Sequence, residues 1–224
     1  MRKVLHMNLV PRRFKLRNRA VAFESSSYYW INRYAIGGNS GGGSYGILAR
    51  YKADVLNKFV KQHRIDSVIE FGCGDGNNLS LFNFPSYLGV DISDLIILQN
   101  KKKFIGNNHW AFMSLESSTA FSYKADLTLS LDVIYHLVED EVFEFYMSSL
   151  FKSSTKFVII YSSNVDFDHP AAHVRHRKFS NWIDAHRPEF ELFAMMDNPH
   201  KSELLGDDHE KSFADFHIYR NTSQ

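Results

Sequence analysis

The 224-residue sequence has a single cysteine, Cys73, so an intramolecular disulfide is excluded and a reducing compartment is expected. It has no apolar stretch approaching the roughly 18–20 residues that crossing a bilayer requires. Its beginning lacks the apolar run and small-residue cleavage site of a secretory signal, which makes the cytoplasm the expected location. Net charge is nearly absent too: 26 basic residues oppose 25 acidic ones, so global charge gives no case for a long nucleic-acid partner. The charge is uneven, however. Residues 1–23 hold Arg2, Lys3, Arg12, Arg13, Lys15, Arg17 and Arg19 ahead of the first acid, Glu24. That segment reads either as a solvated tail or as an approach for an anionic surface or substrate.

What is present suffices for one core, with 44% hydrophobic and 15% aromatic residues in a length that suits one substantial domain. Composition divides the chain into residues 1–47, basic and then aromatic and glycine-rich, and residues 48–224. A helix should not run through Gly37, Gly38, Gly41, Gly42 and Gly43, since each glycine costs about 1 kcal/mol there. The stretch reads as a linker or, given the tyrosines and tryptophan beside it, as a lid over a ligand. Helical spacing of Leu48, Tyr51, Val55, Leu56, Phe59 and Val60 predicts a helix over Tyr45–Gln62. Short apolar runs predict strands at Ser67–Phe71, Tyr87–Asp91, Trp110–Leu115, Asp126–Leu131 and Lys156–Tyr161, with helix-compatible stretches between them, notably Glu139–Phe151. Phe190–Met196 and Ser212–Tyr219 read as a closing antiparallel pair. The expected fold is α/β: a doubly wound, mostly parallel seven-stranded sheet behind an N-terminal helical and glycine-rich lid.

The most informative stretch is Glu70-Phe-Gly72-Cys73-Gly74-Asp75-Gly76, placed after a predicted strand. Alternate glycines let the chain turn sharply and let its backbone approach a ligand. Asp91 ends the next strand, where a carboxylate can accept both hydroxyls of a ribose. Nucleotide-dependent dehydrogenases share that spacing but set a pyrophosphate over the helix N-terminus. An acid among the glycines, Asp75, would repel a pyrophosphate and attract a sulfonium and an α-amino group, which favours S-adenosylmethionine over NAD.

Val68–Leu79 resembles the first motif of class I S-adenosylmethionine-dependent methyltransferases, Tyr87–Ser93 their second strand with its ribose-binding acid, and Ala125–Leu137 their fourth-strand motif near the acceptor. The resemblance implies a Rossmann-like methyltransferase domain over 48–224 with S-adenosylmethionine as cofactor. It implies that Glu70, Gly72, Cys73, Gly74, Asp75 and Gly76 surround the methionine part, that Asp91 and Ile92 hold the ribose, and that Ser114, Leu115 and Glu116 lie by the adenine. The stretch from Trp30 through Arg33 and Tyr34 to Gly46 is similar to stand-alone bacterial methyltransferases associated with surface-polysaccharide biosynthesis. There Arg33 could pair with the cofactor carboxylate and Tyr45 could wall in its sulfonium.

For the acceptor, Asp132, Tyr135 and His136 leave the fourth strand at the edge where doubly wound sheets react. His136 reads as a proton acceptor oriented by Asp132, or as a histidine satisfied by backbone at a helix start. Further on, a helix after Pro170 would put His173, His176 and Arg177 on one face, with Arg175 beside them. Such a segment suits a bound oxyanion, with His173, Arg175 and Arg177 as ligands and His176 as a second candidate base. A divalent metal ranks below, because cations interleave the histidines, and no metal is expected. A solvated basic helix is the remaining reading. The function expected is O-methylation of an anionic or sugar-type small acceptor: a phosphorylated sugar, a nucleotide-linked group or a glycan end. The alternatives are N-methylation of a small metabolite or RNA, or cofactor binding without catalysis. The sequence has no Asn/Asp-Pro-Pro-Tyr/Phe motif, which argues against base methylation.

Overall fold

A computed structural model describes residues 23–115, 122–206 and 210–223. The basic stretch up to residue 22, and Glu116, lie outside the described residues. Helix α1 (Ser26–Ala35) starts where the Ser25 hydroxyl accepts the Tyr28 amide at 3.1 Å. It ends at the glycine cluster, and α2 (Gly46–Gln62) follows, one residue from the expected start. The strands are β1 (Val68–Phe71), β2 (Tyr87–Asp91), β3 (Trp110–Ser114), β4 (Ala125–Leu131) and β5 (Ser154–Ser162). Between β2 and β3 lies α3 (Asp94–Lys103), and between β4 and β5 lies α4 (Asp140–Lys152). Both carry acid in their first turn and lysine in their last, as the helix dipole favours.

After β5 come two short strands, β6 (Phe167–Asp168) and β7 (Arg175–His176), then α5 (Phe179–His186), β8 (Phe190–Met196) and β9 (Asp215–Asn221). The main sheet has seven strands in the order β3-β2-β1-β4-β5-β9-β8. The first five pair in parallel, and β9 and β8 run antiparallel at one edge. This is the doubly wound architecture expected from the alternation of strands and helices. Along β5, Phe157, Ile159 and Tyr161 face the core under α2, while Val158 and Ile160 face the core under α4 and α5. Central strand β1 is buried throughout, which explains its unbroken apolar run with a carboxylate, Glu70, inside it. Strand order reverses between β1 and β4, and the C-terminal ends of those two strands open a crevice there.

One expected element is absent. Residues 170–174 form turns instead of a helix, and Arg175–His176 pair antiparallel with Phe167–Asp168. Long-range contacts decide this. His173 stacks on Tyr29 with ring centroids 4.3 Å apart, and Arg175 and Arg177 both reach Asp140 at the start of α4. A helical turn here would present almost no apolar stripe to bury, so nothing local opposes those contacts.

Helix α1 is tied to the sheet at its first residue. The Ser26 amide and hydroxyl donate to Glu139 at 2.9 and 2.6 Å, and the Ser26 hydroxyl accepts the Val138 amide at 3.0 Å. Burial alone would raise the Glu139 carboxyl, but the Ser26 donors, its own amide and the charge of Arg177 together hold the group below its usual value. The tether is therefore complete above the unfolded carboxyl value and lost as pH falls through the depressed folded one. Glu139→Ala should speed hydrogen exchange of the α1 amides by about tenfold, roughly 1.4 kcal/mol of local stability, and leave β5 amides unchanged. Uniform acceleration of both would contradict a local tether.

Candidate functional site

The turn after β1 is built by glycines in the left-handed region. Gly72, Gly74 and Gly76 have φ of 80°, 55° and 68°. All three are also sterically required: a Cβ on Gly72 would lie 2.5 Å from Val133, one on Gly74 2.3 Å from the Ser40 hydroxyl, and one on Gly76 2.5 Å from Asn100. The amides of Gly72 and Cys73 donate to the Val90 carbonyl at 2.7 and 3.0 Å, which pins the turn beside the end of β2. Asp91, buried there, accepts the Gly74 amide at 2.9 Å and the Ser93 amide at 3.0 Å. Burial pushes its carboxyl up, and those amides oppose the rise. Glu70 accepts the Tyr87 hydroxyl at 2.6 Å, and its burial pushes it up to about 7.

These groups line a cavity of about 970 Å³, counted to its open mouth. Of the residues expected at a cofactor, Glu70, Gly72, Cys73, Gly74, Asp91, Ile92 and Leu115 line it. Others do not. Asp75 accepts the Ser40 amide at 2.9 Å, the Tyr45 hydroxyl at 2.6 Å and the Asn77 amide at 3.0 Å, so it anchors the glycine-rich segment and does not face the cavity. The acids that face the cavity are Glu70 and Asp91. Tyr45 is consumed by the same contact. Gly76 packs under Asn100 and Phe104, and the Ser114 hydroxyl is buried away from the cavity without a partner among the described residues. Arg33 lines a different space.

That space is a second cavity, open to solvent, between α1, the glycine-rich segment, the 169–174 turn and described residues of the 202–213 stretch. Trp30, Ser40, Asp132 and His136 line both cavities and form the wall between them. Asp132 follows β4 with φ of 60°, unusual for a residue with a side chain. One carboxylate oxygen receives the Nζ of Lys52 and the other the Tyr135 hydroxyl at 3.0 Å. Lys52 is fully buried, with its Nζ also 5.1 Å from the centre of the Tyr161 ring. A Cβ on Gly43 would lie 2.9 Å from the same carboxylate, so the glycine-rich segment closes directly over Asp132.

Several acceptor-side expectations change. Asp132 is paired with Lys52 and Tyr135 and does not orient His136. The His136 Nδ1 instead meets the His173 carbonyl at 3.0 Å, an arrangement that puts its proton on Nδ1 and leaves the Nε2 lone pair open. Burial pushes His136 down to about 3, so its ring is neutral at neutral pH. His176 lines neither cavity; it is buried with its Nδ1 2.6 Å from the Ser163 hydroxyl, and burial pushes it down to about 4. Arg175 and Arg177 are not open to an anion either. Both pair with Asp140, at 3.0 and 2.6 Å, and both donate to the Val138 carbonyl. Tyr135 and His173 do line the second cavity. Among the described residues no cluster of three or more His, Cys, Asp or Glu is placed to hold a metal ion.

Lys52 and Asn78 escaped the sequence reading, and Trp30, Tyr34 and Ser40 stood in it only as members of the N-terminal stretch, with no role of their own. Lys52 had a visible signal, because it interrupts the apolar face made by Leu48, Ala49, Ala53 and Leu56. Asn78 lies just past the glycines and lines the first cavity, and its Oδ1 is buried without a partner among the described residues.

Breaking a buried ion pair by removing one partner costs about 3–5 kcal/mol, because the other charge is left unpaired. Lys52→Met should lose that much in urea unfolding, and Lys52→Met/Asp132→Asn should recover most of it. Equal losses in the two variants would show that the cost comes from packing and not from the orphaned carboxylate.

No family model matches the chain. The small RNA 2′-O-methyltransferase of Arabidopsis thaliana is 25% identical over 136 residues, which are 54% of this chain and 14% of that protein. The chain thus spans about a seventh of that relative's length. Magnesium protoporphyrin IX methyltransferase from Synechocystis PCC 6803, solved with bound S-adenosylmethionine, superposes with a TM-score of 0.61 at 15% identity, covering 89% of this chain and 99% of that one. The methyltransferase domain of bacterial CtHen1 superposes with a TM-score of 0.57 at 18% identity, covering 77% and 97%. This chain therefore has the class I methyltransferase fold.

Proposed function

We propose that the chain binds S-adenosylmethionine in the first cavity and transfers its methyl group to a hydroxyl of a small sugar-type acceptor in the second. The observation that carries this is the shared wall: two cavities meet at Asp132 and His136, where the order of the parallel strands reverses. The residues of the first cavity suit that cofactor. Asp91 offers remaining lone pairs to ribose hydroxyls, and Ile92 and Leu115 give an apolar flank for adenine. Two buried carboxylates, Glu70 and Asp91, favour a ligand of positive charge over a pyrophosphate.

Bound there, the cofactor supplies a methyl group made electrophilic by a sulfonium. The chain's own contribution is positioning. The glycine-rich segment acts as a lid, held down through Asp75, and with Trp30 it excludes water from the wall. His136 accepts the acceptor's hydroxyl hydrogen at Nε2. The acceptor's proton passes to Nε2, while the cofactor would give up its methyl carbon to the acceptor oxygen and keep its sulfur as a neutral thioether. An ether oxygen that still carries its proton is far more acidic than even this depressed imidazolium, so the weak basicity of His136 suffices. Glycan ends of surface polysaccharides and nucleotide-linked sugars offer the hydroxyl this reading needs. The name of the Arabidopsis relative places its own chemistry on a ribose hydroxyl of small RNA.

Calorimetry should detect S-adenosylmethionine and its demethylated product binding to the purified chain, with Asp91→Ala weakening both by at least about tenfold, roughly 1.4 kcal/mol. Labelled methyl transfer to a panel of sugars, sugar phosphates and nucleotides should then give an ether product; transfer to amines alone would overturn the hydroxyl assignment. A second outcome concerns protons. A cation beside Glu70 stabilises its carboxylate, so a group held at about 7 sheds its proton when the cationic cofactor binds near neutral pH. The measured binding heat should differ between buffers of different ionisation enthalpy, and Glu70→Gln should abolish the difference.

A further inference from the structure

Arg33 stands out among the charges of the second cavity. Among the described residues, three charged side chains line it: Arg33, Lys211 and Asp132. Asp132 is neutralised by Lys52 behind the wall, and Lys211 has an interaction of its own. Arg33 has no carboxylate partner among the described residues. It is nevertheless held in place by neutral groups: its Nε donates to the Asn39 carbonyl at 2.7 Å, its Nη1 to the Tyr29 hydroxyl at 3.3 Å, and its guanidinium lies 5.5 Å from the centre of the Trp30 ring. A guanidinium fixed at three points with donors left over is prepared for a bidentate partner.

His169 lines the same cavity, and its Nδ1 accepts the Ala171 amide at 3.0 Å. Its proton therefore sits on Nε2, which makes that atom a donor. The side-chain-free run Gly41–Gly43 lines the cavity between Arg33 and Asp132 and leaves room for a bound group. Arg33 also acts electrostatically on His136 and His173, which places its charge in the field of the wall where the hydroxyl would react.

We infer that Arg33 and His169 form an oxyanion subsite of the second cavity, so the acceptor is a hydroxyl compound that also carries a phosphate or a carboxylate. The inference rests on the proposed methyl transfer and gives its acceptor a charge. It also moves the anion site from Arg175 and Arg177, which are spent on Asp140, to the first helix.

The test uses the full chain saturated with S-adenosylhomocysteine, titrated with inorganic phosphate and separately with acetate. Saturable binding of at least one anion is expected, and which of the two binds more tightly distinguishes phosphate from carboxylate. Arg33→Met should weaken that binding by at least about tenfold and Arg33→Lys by less, since a lysine keeps the charge without the fork. His169→Ala should weaken it severalfold. In every variant the melting temperature and the affinity for S-adenosylhomocysteine should match the unaltered chain. Three results would overturn the subsite: no saturable anion binding, anion binding that competes with S-adenosylhomocysteine, or loss of S-adenosylhomocysteine affinity in Arg33→Met, which would assign the arginine to the cofactor. If the unaltered chain fails to bind S-adenosylhomocysteine at all, it is the methyltransfer reading that falls, and that arm is read before any anion is added.

Discussion

A lysine ammonium with no access to water is tolerable only beside a carboxylate, and that constraint organises the centre of this molecule. Lys52 lies on the core face of α2, and Asp132 follows the last residue of β4. Their contact joins two elements 80 residues apart at the point where the strand order reverses. An apolar pair of similar volume would fill the same space at no desolvation cost, so stability alone does not call for ions here. What the pair achieves is an ionised, immobile carboxylate at the rim of two cavities. Tyr135 takes its second oxygen, the Gly43 backbone covers it, and the unusual backbone at Asp132 is held by the amide's bond to the Tyr161 carbonyl at 2.9 Å.

The glycine-rich segment depends on the same arrangement from the other side. It has almost no side chains with which to bury surface, so its position is set by polar contacts to the β1 turn. The Ser40 amide donates to the Asp75 carboxylate at 2.9 Å, and the Asp75 amide donates to the Ser40 hydroxyl at 2.9 Å. The Tyr34 hydroxyl meets Ser40 at 3.0 Å. This reciprocal pairing explains why an acid stands among the glycines. It also couples the two loops: whatever displaces the β1 turn also displaces the cover over Asp132. At the far end of α1 the Glu139 contacts with Ser26 fix the helix, so the segment is suspended between two polar anchors.

Much of the fold was legible because it is written locally. Strand β2 and strand β8 fall on the expected residues, and α2 differs by one, since each depends on the period of its own apolar residues. The glycine turn and Asp91 were legible for the same reason: both requirements, left-handed backbone and a carboxylate at a strand end, act within a few residues. What failed depended on partners distant in sequence. Nothing near Asp75 announces Ser40 or Tyr45, and nothing near Arg175 announces Asp140. The segment 169–178 has helical spacing of its basic residues, yet its cations and rings find better partners in α1 and at the start of α4 than one another. Lys52 is the instructive intermediate case, since a lysine on an apolar stripe is itself a local signal of a buried counter-ion.

The charges around the wall are arranged by sign. On one side the cavity is lined by two buried acids, Glu70 and Asp91; on the other it is lined by Arg33, with the donor face of His169. Between them stands a neutralised pair, Lys52 with Asp132, and an uncharged histidine. Two ligands of opposite charge would each be drawn to one side and repelled from the other, which sorts them without steric selection. They would also attract each other across a thin wall where little water screens them. A charged base at His136 would spoil that balance by adding a cation at the junction, and burial keeps the ring neutral even though the bond to the His173 carbonyl favours the charged form. The depressed basicity of His136 is therefore part of the electrostatic design of the wall: the same burial that makes it a weak base leaves the field between the two cavities undisturbed.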